Sequence, residues 1–174
     1  MKLYFLGTCA GTEPMPDRKH ASLALEVEGD IYWFDAGEGC SYTAHNLGVD
    51  VLKVKTVVIS HPHLDHTGGL ANLIWNIRKM HWVKNSKTET DIDIWLPDPG
   101  IWEAVKALLR CSEGQYALEA HLLAHGIRDG VLFDTELCGL RRCTISMLPR
   151  KRNNGGLSPF SWKPKESGWS IPVM

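Results

Sequence analysis

Long apolar runs are missing from this sequence. None approaches the roughly 18 residues that a membrane-spanning helix needs, so no segment reads as a helical span. The opening MKLYFLGTCAGTEP carries one lysine and few apolar residues before Gly7. It lacks the apolar centre of a secretory signal peptide and reads as the first strand of a cytoplasmic protein. Paired cysteines are missing as well. Cys9, Cys40, Cys111, Cys138 and Cys143 contain no C-x-x-C spacing, and free thiols in a reducing compartment suit them better than a disulfide framework. There is no internal repeat and no low-complexity linker. The 44% hydrophobic and 22% charged residues in a chain of 174 are ordinary globular composition, enough for one domain with its own core.

The formal net charge of −1 hides an uneven distribution. Residues 1–140 carry 12 Lys/Arg against 19 Asp/Glu, whereas residues 141–174 carry seven Lys/Arg against one Glu. A basic tail of this kind is one signature of a nucleic-acid-binding arm.

Elements can be read from periodicity. KLYFLG (Lys2–Gly7), SLALEVEG (Ser22–Gly29) and IYWFDAGEG (Ile31–Gly39) read as strands, the last two joined by a turn at Gly29-Asp30. SYTAHNLGV (Ser41–Val49) reads as a short helix stopped by Gly48. LKVKTVVIS (Leu52–Ser60) is a buried strand. GGLANLIWNIRKMHW (Gly68–Trp82) is a helix with Leu70, Leu73, Ile74 and Ile77 on one face. DIDIWLP (Asp91–Pro97) is a strand, GIWEAVKALLRCS (Gly100–Ser112) a helix and GVLFD (Gly130–Asp134) a strand. The interleaving predicts an α/β or α+β class, a sheet faced by helices.

At the end of the buried strand, VVISHPHLDHTGGL places three histidines and an aspartate within six residues. His61, His63, Asp65 and His66 form H-x-H-x-D-H on a loop between a strand and a helix. Imidazole nitrogen and carboxylate oxygen suit zinc, and also iron or manganese. Histidines at i and i+2 on extended backbone can converge on one ion. Pro62 stiffens the loop, and Gly68 and Gly69 allow a sharp entry into the helix. A solvated loop without metal is the competing reading, and the density of histidine argues against it. The remaining histidines are weaker signals. Arg18 and His20 are candidates for contacting a substrate phosphate, although a plain exposed loop also explains them. His45 and His81 sit in helices. His121 and His125 share i, i+4 spacing, but EAHLLAHGI reads as a helix end or a turn rather than a ligand pair.

HPHLDHTGG resembles the signature of the metallo-β-lactamase-fold hydrolases, an αββα sandwich that binds one or two metal ions. LGTCAGTEPMPDRKHAS and FDAGEG resemble the ribonuclease Z and arylsulfatase-like branch, and the similarity covers about residues 2–135. The resemblance implies that residues 1–137 form the N-terminal half of that sandwich. It assigns His61 and His63 to a first ion and Asp65 and His66 to a second, with Asp65 also the catalytic proton-handling group. It further implies zinc, with iron or manganese as alternatives. The substrate would be a small-molecule ester or an RNA 3′ end, the assembly a homodimer, and the location cytoplasmic. Metal-lowered water pKa would supply the nucleophile. Asp35, two residues before Gly37, is a candidate for orienting a ligand histidine from behind, a strand-end turn aspartate being the alternative.

The family pattern also requires a third histidine on the first ion, an aspartate bridging both ions and a last histidine on the second. No histidine follows His125, and the final acidic residue is Glu166. Residues 138–174 are basic, without a core face, and are expected to be out of frame or disordered. Starting each codon at its third base permits L-R-V-T-P-L-H-N-F-H-A for LCGLRRCTISMLP. The same offset permits F-L-E-A-E-G-K-R-L-V-Y-S-G-D for the segment after Pro159. Two windows that obey one offset point to a one-base slip near Glu136–Cys138. Such a chain is expected to be a metal-dependent hydrolase, phosphodiesterase or ribonuclease Z-like, that is impaired by loss of its C-terminal ligands. A non-catalytic metal-binding or interaction module is the alternative, and a nucleic-acid-binding tail a third.

Overall fold

Apolar residues, continuous in the first strand and alternating in burial in the third, build the first three strands. These are β1 (Lys2–Gly7), β2 (Ser22–Val27) and β3 (Asp30–Phe34), all antiparallel. The β2–β3 turn falls on Glu28-Gly29, one residue earlier than the expected Gly29-Asp30. Both turn residues have positive φ (54° and 92°), as a two-residue type I′ connection requires, and Val27 pairs with Asp30. This register places Ile31 and Trp33 on the same face, where they are fully buried; a one-residue slip would turn them outward. β3 stops at Phe34, short of the expected Gly39.

A computed structural model describes residues 1–11, 15–84, 91–113, 122–127, 130–137, 141–147 and 161–162. Two units are distinguished, Met1–Gly126 and Ile127–Met174. In the first, β4 (Val54–Val58), β5 (Ile92–Leu96) and β6 (Leu122–Gly126) follow β3 in parallel, giving a six-stranded sheet of order β1-β2-β3-β4-β5-β6. Leu52 and Lys53, expected at the start of β4, lie instead in a 3₁₀ turn (Val51–Lys53), where the Asp50 side chain accepts from the Leu52 N–H at 3.2 Å.

The helices are α1 (Cys40–Asn46), α2 (Leu64–Thr67), α3 (Leu70–Val83) and α4 (Pro99–Glu113). α1 ends as Gly48 predicted. Gly48 adopts φ 72°, its N–H donates to His45 O, and the Val49 N–H donates to Ala44 O. α3 buries Leu70, Leu73, Ile74 and Ile77, and α4 buries Trp102, Val105 and Leu109. All of them join Trp33, Val57, Ile92, Ile94 and Leu96 in one apolar cluster between sheet and helices. Interleaved strands and helices around this cluster bear out the α/β class.

The described part of EAHLLAHGI is neither a helix end nor a turn. Leu122–Gly126 is strand β6, in register with β5 from Ile92↔Leu122 to Leu96↔Gly126. Edge pairing to an existing parallel sheet satisfies this backbone in a way that local spacing does not reveal. His125 therefore lies in a strand, and His121 lies outside the described residues. The second unit contains β7 (Gly130–Leu137), β8 (Arg141–Met147) and β9 (Ser161–Trp162), an antiparallel sheet of order β7-β8-β9.

Candidate metal centre

The centre is built where β3 and β4 end side by side. β3 is followed directly by Asp35, which adopts φ 56°, a left-handed conformation that costs a non-glycine residue about 1–2 kcal/mol. Surrounding contacts hold it there. The Asp35 N–H donates to Val58 O at 2.8 Å, and the Asp35 carbonyl accepts from Ser22 Oγ (2.8 Å) and the Trp33 indole (2.9 Å). The turned backbone points the carboxylate across to the residues after β4. There it accepts from the Ser60 N–H (2.7 Å) and Ser60 Oγ (2.8 Å), and it meets His66 Nδ1 at 2.8 Å. Asp35 and His66 are both buried.

His66 is presented by α2, whose first turn is tied back on itself by the His66 and Thr67 N–H groups donating to His63 O. The helix is laced to the loop after β3 as well: the Ala36 N–H donates to His66 O, and the Gly69 N–H to Ala36 O, both at 2.7 Å. With Nδ1 engaged by Asp35, the other ring nitrogen of His66 faces Asp65 Oδ2 at 3.2 Å. The imidazole thus bridges two carboxylates. His61 lies against it, with ring centroids 3.7 Å apart, and His63 meets His61 edge-on at 4.8 Å.

His61, His63 and Asp65 each aim a donor atom at a common region, all three within 4.8 Å of one another. Two imidazoles and a carboxylate fit a borderline-soft divalent cation. The electrostatics are uneven. Burial, and then the neighbouring His66, lowers the pKa of His61, favouring the neutral form that can ligate. Burial opposes protonation of His66 too, but the hydrogen bond and charge of Asp35, with those of Asp65, outweigh it and raise its pKa.

Residues 1–138 match the family model described as Anti-Pycsar protein Apyc1. The chain belongs to this family. Among the curated relatives, Ribonuclease Z of Methanothermobacter thermautotrophicus is 30% identical over 136 residues, covering 78% of this chain and 41% of the relative. Ribonuclease Z of Methanococcus aeolicus is 32% identical over 127 residues, 73% of this chain and 36% of the relative. The chain therefore spans about two fifths of the length of the curated relatives it matches. The crystal structure of the short form of human tRNase Z superposes with a TM-score of 0.69 at 22% identity, covering all of this chain and 68% of that one. This shared fold, together with the sequence relatives, bears out the metallo-β-lactamase fold expected from HPHLDHTGG and the ribonuclease Z-like branch expected from LGTCAGTEPMPDRKHAS and FDAGEG.

Within this Apyc1-family chain the structure brings together His61, His63, Asp65 and His66, with Asp35 behind them. Arg18 is exposed and has no described contact with the cluster. His20 is closer to it: its Nδ1 lies 3.9 Å from Glu38 Oε2, and its backbone packs against Gly37, whose other neighbour is the Asp65 carbonyl. Sequence reasoning missed Ser60, which donates twice to Asp35. Its only signal was a polar residue closing a β-branched run directly before His61. Among the described residues no helix is long and apolar enough to cross a membrane.

Proposed function

We propose that this chain carries the first half of a metal-dependent hydrolase site for phosphodiesters, either RNA 3′ ends or smaller esters. The supporting observation is the convergence of His61, His63 and Asp65 within 4.8 Å, next to a buried Asp35–His66 pair. His61, His63, Asp65 and His66 would hold zinc, iron and manganese being compatible with the same donors. A bound ion supplies an acidified water and neutralises charge on the ester oxygens. The chain's own residues do the rest. Asp35 fixes His66 through Nδ1, so that Nε2 is directed at Asp65. Asp65, the catalytic group in this reading, would take the proton that the attacking water loses and pass it to the departing oxygen. Arg18 and His20 lie on the loop available to a substrate phosphate. A homodimer in the cytoplasm is the assembly and location that this reading carries.

The chain is also proposed to be impaired. The family match ends at residue 138, where the basic segment begins. That coincidence supports a one-base slip near Glu136–Cys138, with residues 138–174 out of frame. A non-catalytic metal-binding module is the second reading, favoured by the grouping of only three converging donors among the described residues.

The test is zinc content together with hydrolysis of bis(p-nitrophenyl) phosphate, by this chain and by a frame-restored version. At most one ion per chain and hydrolysis by the restored form alone are expected. Hydrolysis by both would overturn the proposal about the tail. Undiminished hydrolysis by a restored form carrying His61→Ala and His63→Ala would overturn the assignment of the site.

A further inference from the structure

The aspartate of the cluster is closely approached by the backbone of two glycines. A Cβ placed on Gly11 would lie 2.6 Å from Asp65 Cγ, 2.8 Å from Oδ2 and 2.9 Å from Cβ. Carbon atoms in good contact stand about 3.5–4.0 Å apart. Asp65 Cβ is fixed by the α2 backbone, so the side chain has no simple swing that would make room. The Asp65 backbone is approached closely too, since a Cβ on Gly37 would lie 2.5 Å from the Asp65 carbonyl oxygen. The segment that delivers Gly11 is itself anchored: the Cys9 N–H donates to Lys19 O at 2.8 Å, and Cys9 bridges to His20.

We infer that Gly11 is a positioning residue for the metal centre. Its bare backbone forms a wall that confines the Asp65 carboxylate at 3.2 Å from His66 Nε2 and within 4.8 Å of the His61 and His63 donors. Any side chain at position 11 overlaps both that carboxylate and Asp65 Cβ, so Asp65 as a whole is displaced from the other donors of the cluster. The inference rests on the metal-site reading above for its consequence, and on packing alone for its cause.

The experiment uses the full chain and separates the two. In the metal-free protein, ¹⁵N spectra of the imidazoles follow His66 Nε2, and NOEs are sought between Gly11 Hα and Asp65 Hβ. The NOEs are expected in the unaltered chain, and Gly11→Ala is expected to displace the His66 Nε2 resonance. Missing NOEs or an unmoved resonance overturns the inference, whether or not any metal binds. Titration with Zn²⁺ against a chromophoric chelator then reads the consequence. Gly11→Ala is expected to weaken binding about 10–100-fold, the range found when groups supporting metal ligands are lost. In an Asp65→Ala background the same change is expected to alter affinity less than about twofold, because the group it acts through is gone. Equal Zn²⁺ affinity of the unaltered and Gly11→Ala chains overturns the inference, as does full additivity in the cycle. If the unaltered chain takes up no Zn²⁺, the metal reading fails while the spectra still decide the role of Gly11. If Gly11→Ala does not fold, the NOEs in the unaltered chain decide it.

Discussion

Asp35 connects the core to the cluster. Its carbonyl is held by Ser22 and the buried Trp33 indole, and its carboxylate by Ser60 and His66. Removing that carboxylate takes the partner from the half-buried Ser60 N–H and from Nδ1 of the buried His66. Asp35→Ala is therefore expected to destabilise the metal-free chain by about 1–3 kcal/mol in urea unfolding, and to weaken Zn²⁺ binding about 10–100-fold. An affinity unchanged in a folded Asp35→Ala chain would show that His66 needs no partner behind it. Cys40 offers a second check. Burial pushes its thiol up to about 12 from its ordinary value of 9.0. The native state thus keeps a proton that the unfolded chain releases, so this contribution to stability is complete below pH 9 and is lost as pH rises towards 12. The slope is on the order of 1 kcal/mol per pH unit. Wild type is expected to lose that much more than Cys40→Ala between pH 9 and pH 10. At this scale His61, His63, Asp65, His66 and Asp35 were legible, because their side chains carry the chemistry. Ser60 and Gly11 were not, since one contributes partly through its backbone N–H and the other through having no side chain.

Among the elements, those with strong periodicity and local punctuation were legible. α3 buried the four residues its spacing named, and α1 stopped at Gly48. Because Gly48 sits at φ 72° with its N–H and that of Val49 closing the helix, Gly48→Ala is expected to cost about 1 kcal/mol in thermal or urea unfolding. Zn²⁺ affinity is expected to stay level; a parallel loss there would mean that the α1 end supports the cluster. β6 was illegible for a reason that lies outside its own residues. LLAHG has no clean alternation, and what makes it a strand is the free edge of β5, formed by a segment 30 residues earlier in the chain. The 3₁₀ turn before β4 shows the same limit in miniature, since an aspartate side chain competes with the ladder for the Leu52 N–H.

For the whole molecule, the sheet order separates two kinds of contact. The β1–β2–β3 pairings join chain neighbours, while Asp35 must find Ser60 and His66 across 25 and 31 residues. The cluster donors His61, His63 and Asp65, by contrast, fall within five consecutive positions. Such donors remain close together when the rest of the chain has come apart, so a denatured chain retains a rudimentary chelate. A cation that also binds the denatured ensemble raises the melting temperature by less than its native affinity would dictate. Calorimetry across a zinc series should accordingly give a shallower rise in midpoint than RT ln(1 + [L]/Kd) forecasts, and a rise on that line would mean that the chelate exists only in the folded chain. A nascent chain emerging from the ribosome would meet the same circumstance in reverse: it could capture its ion before the sheet around it has closed.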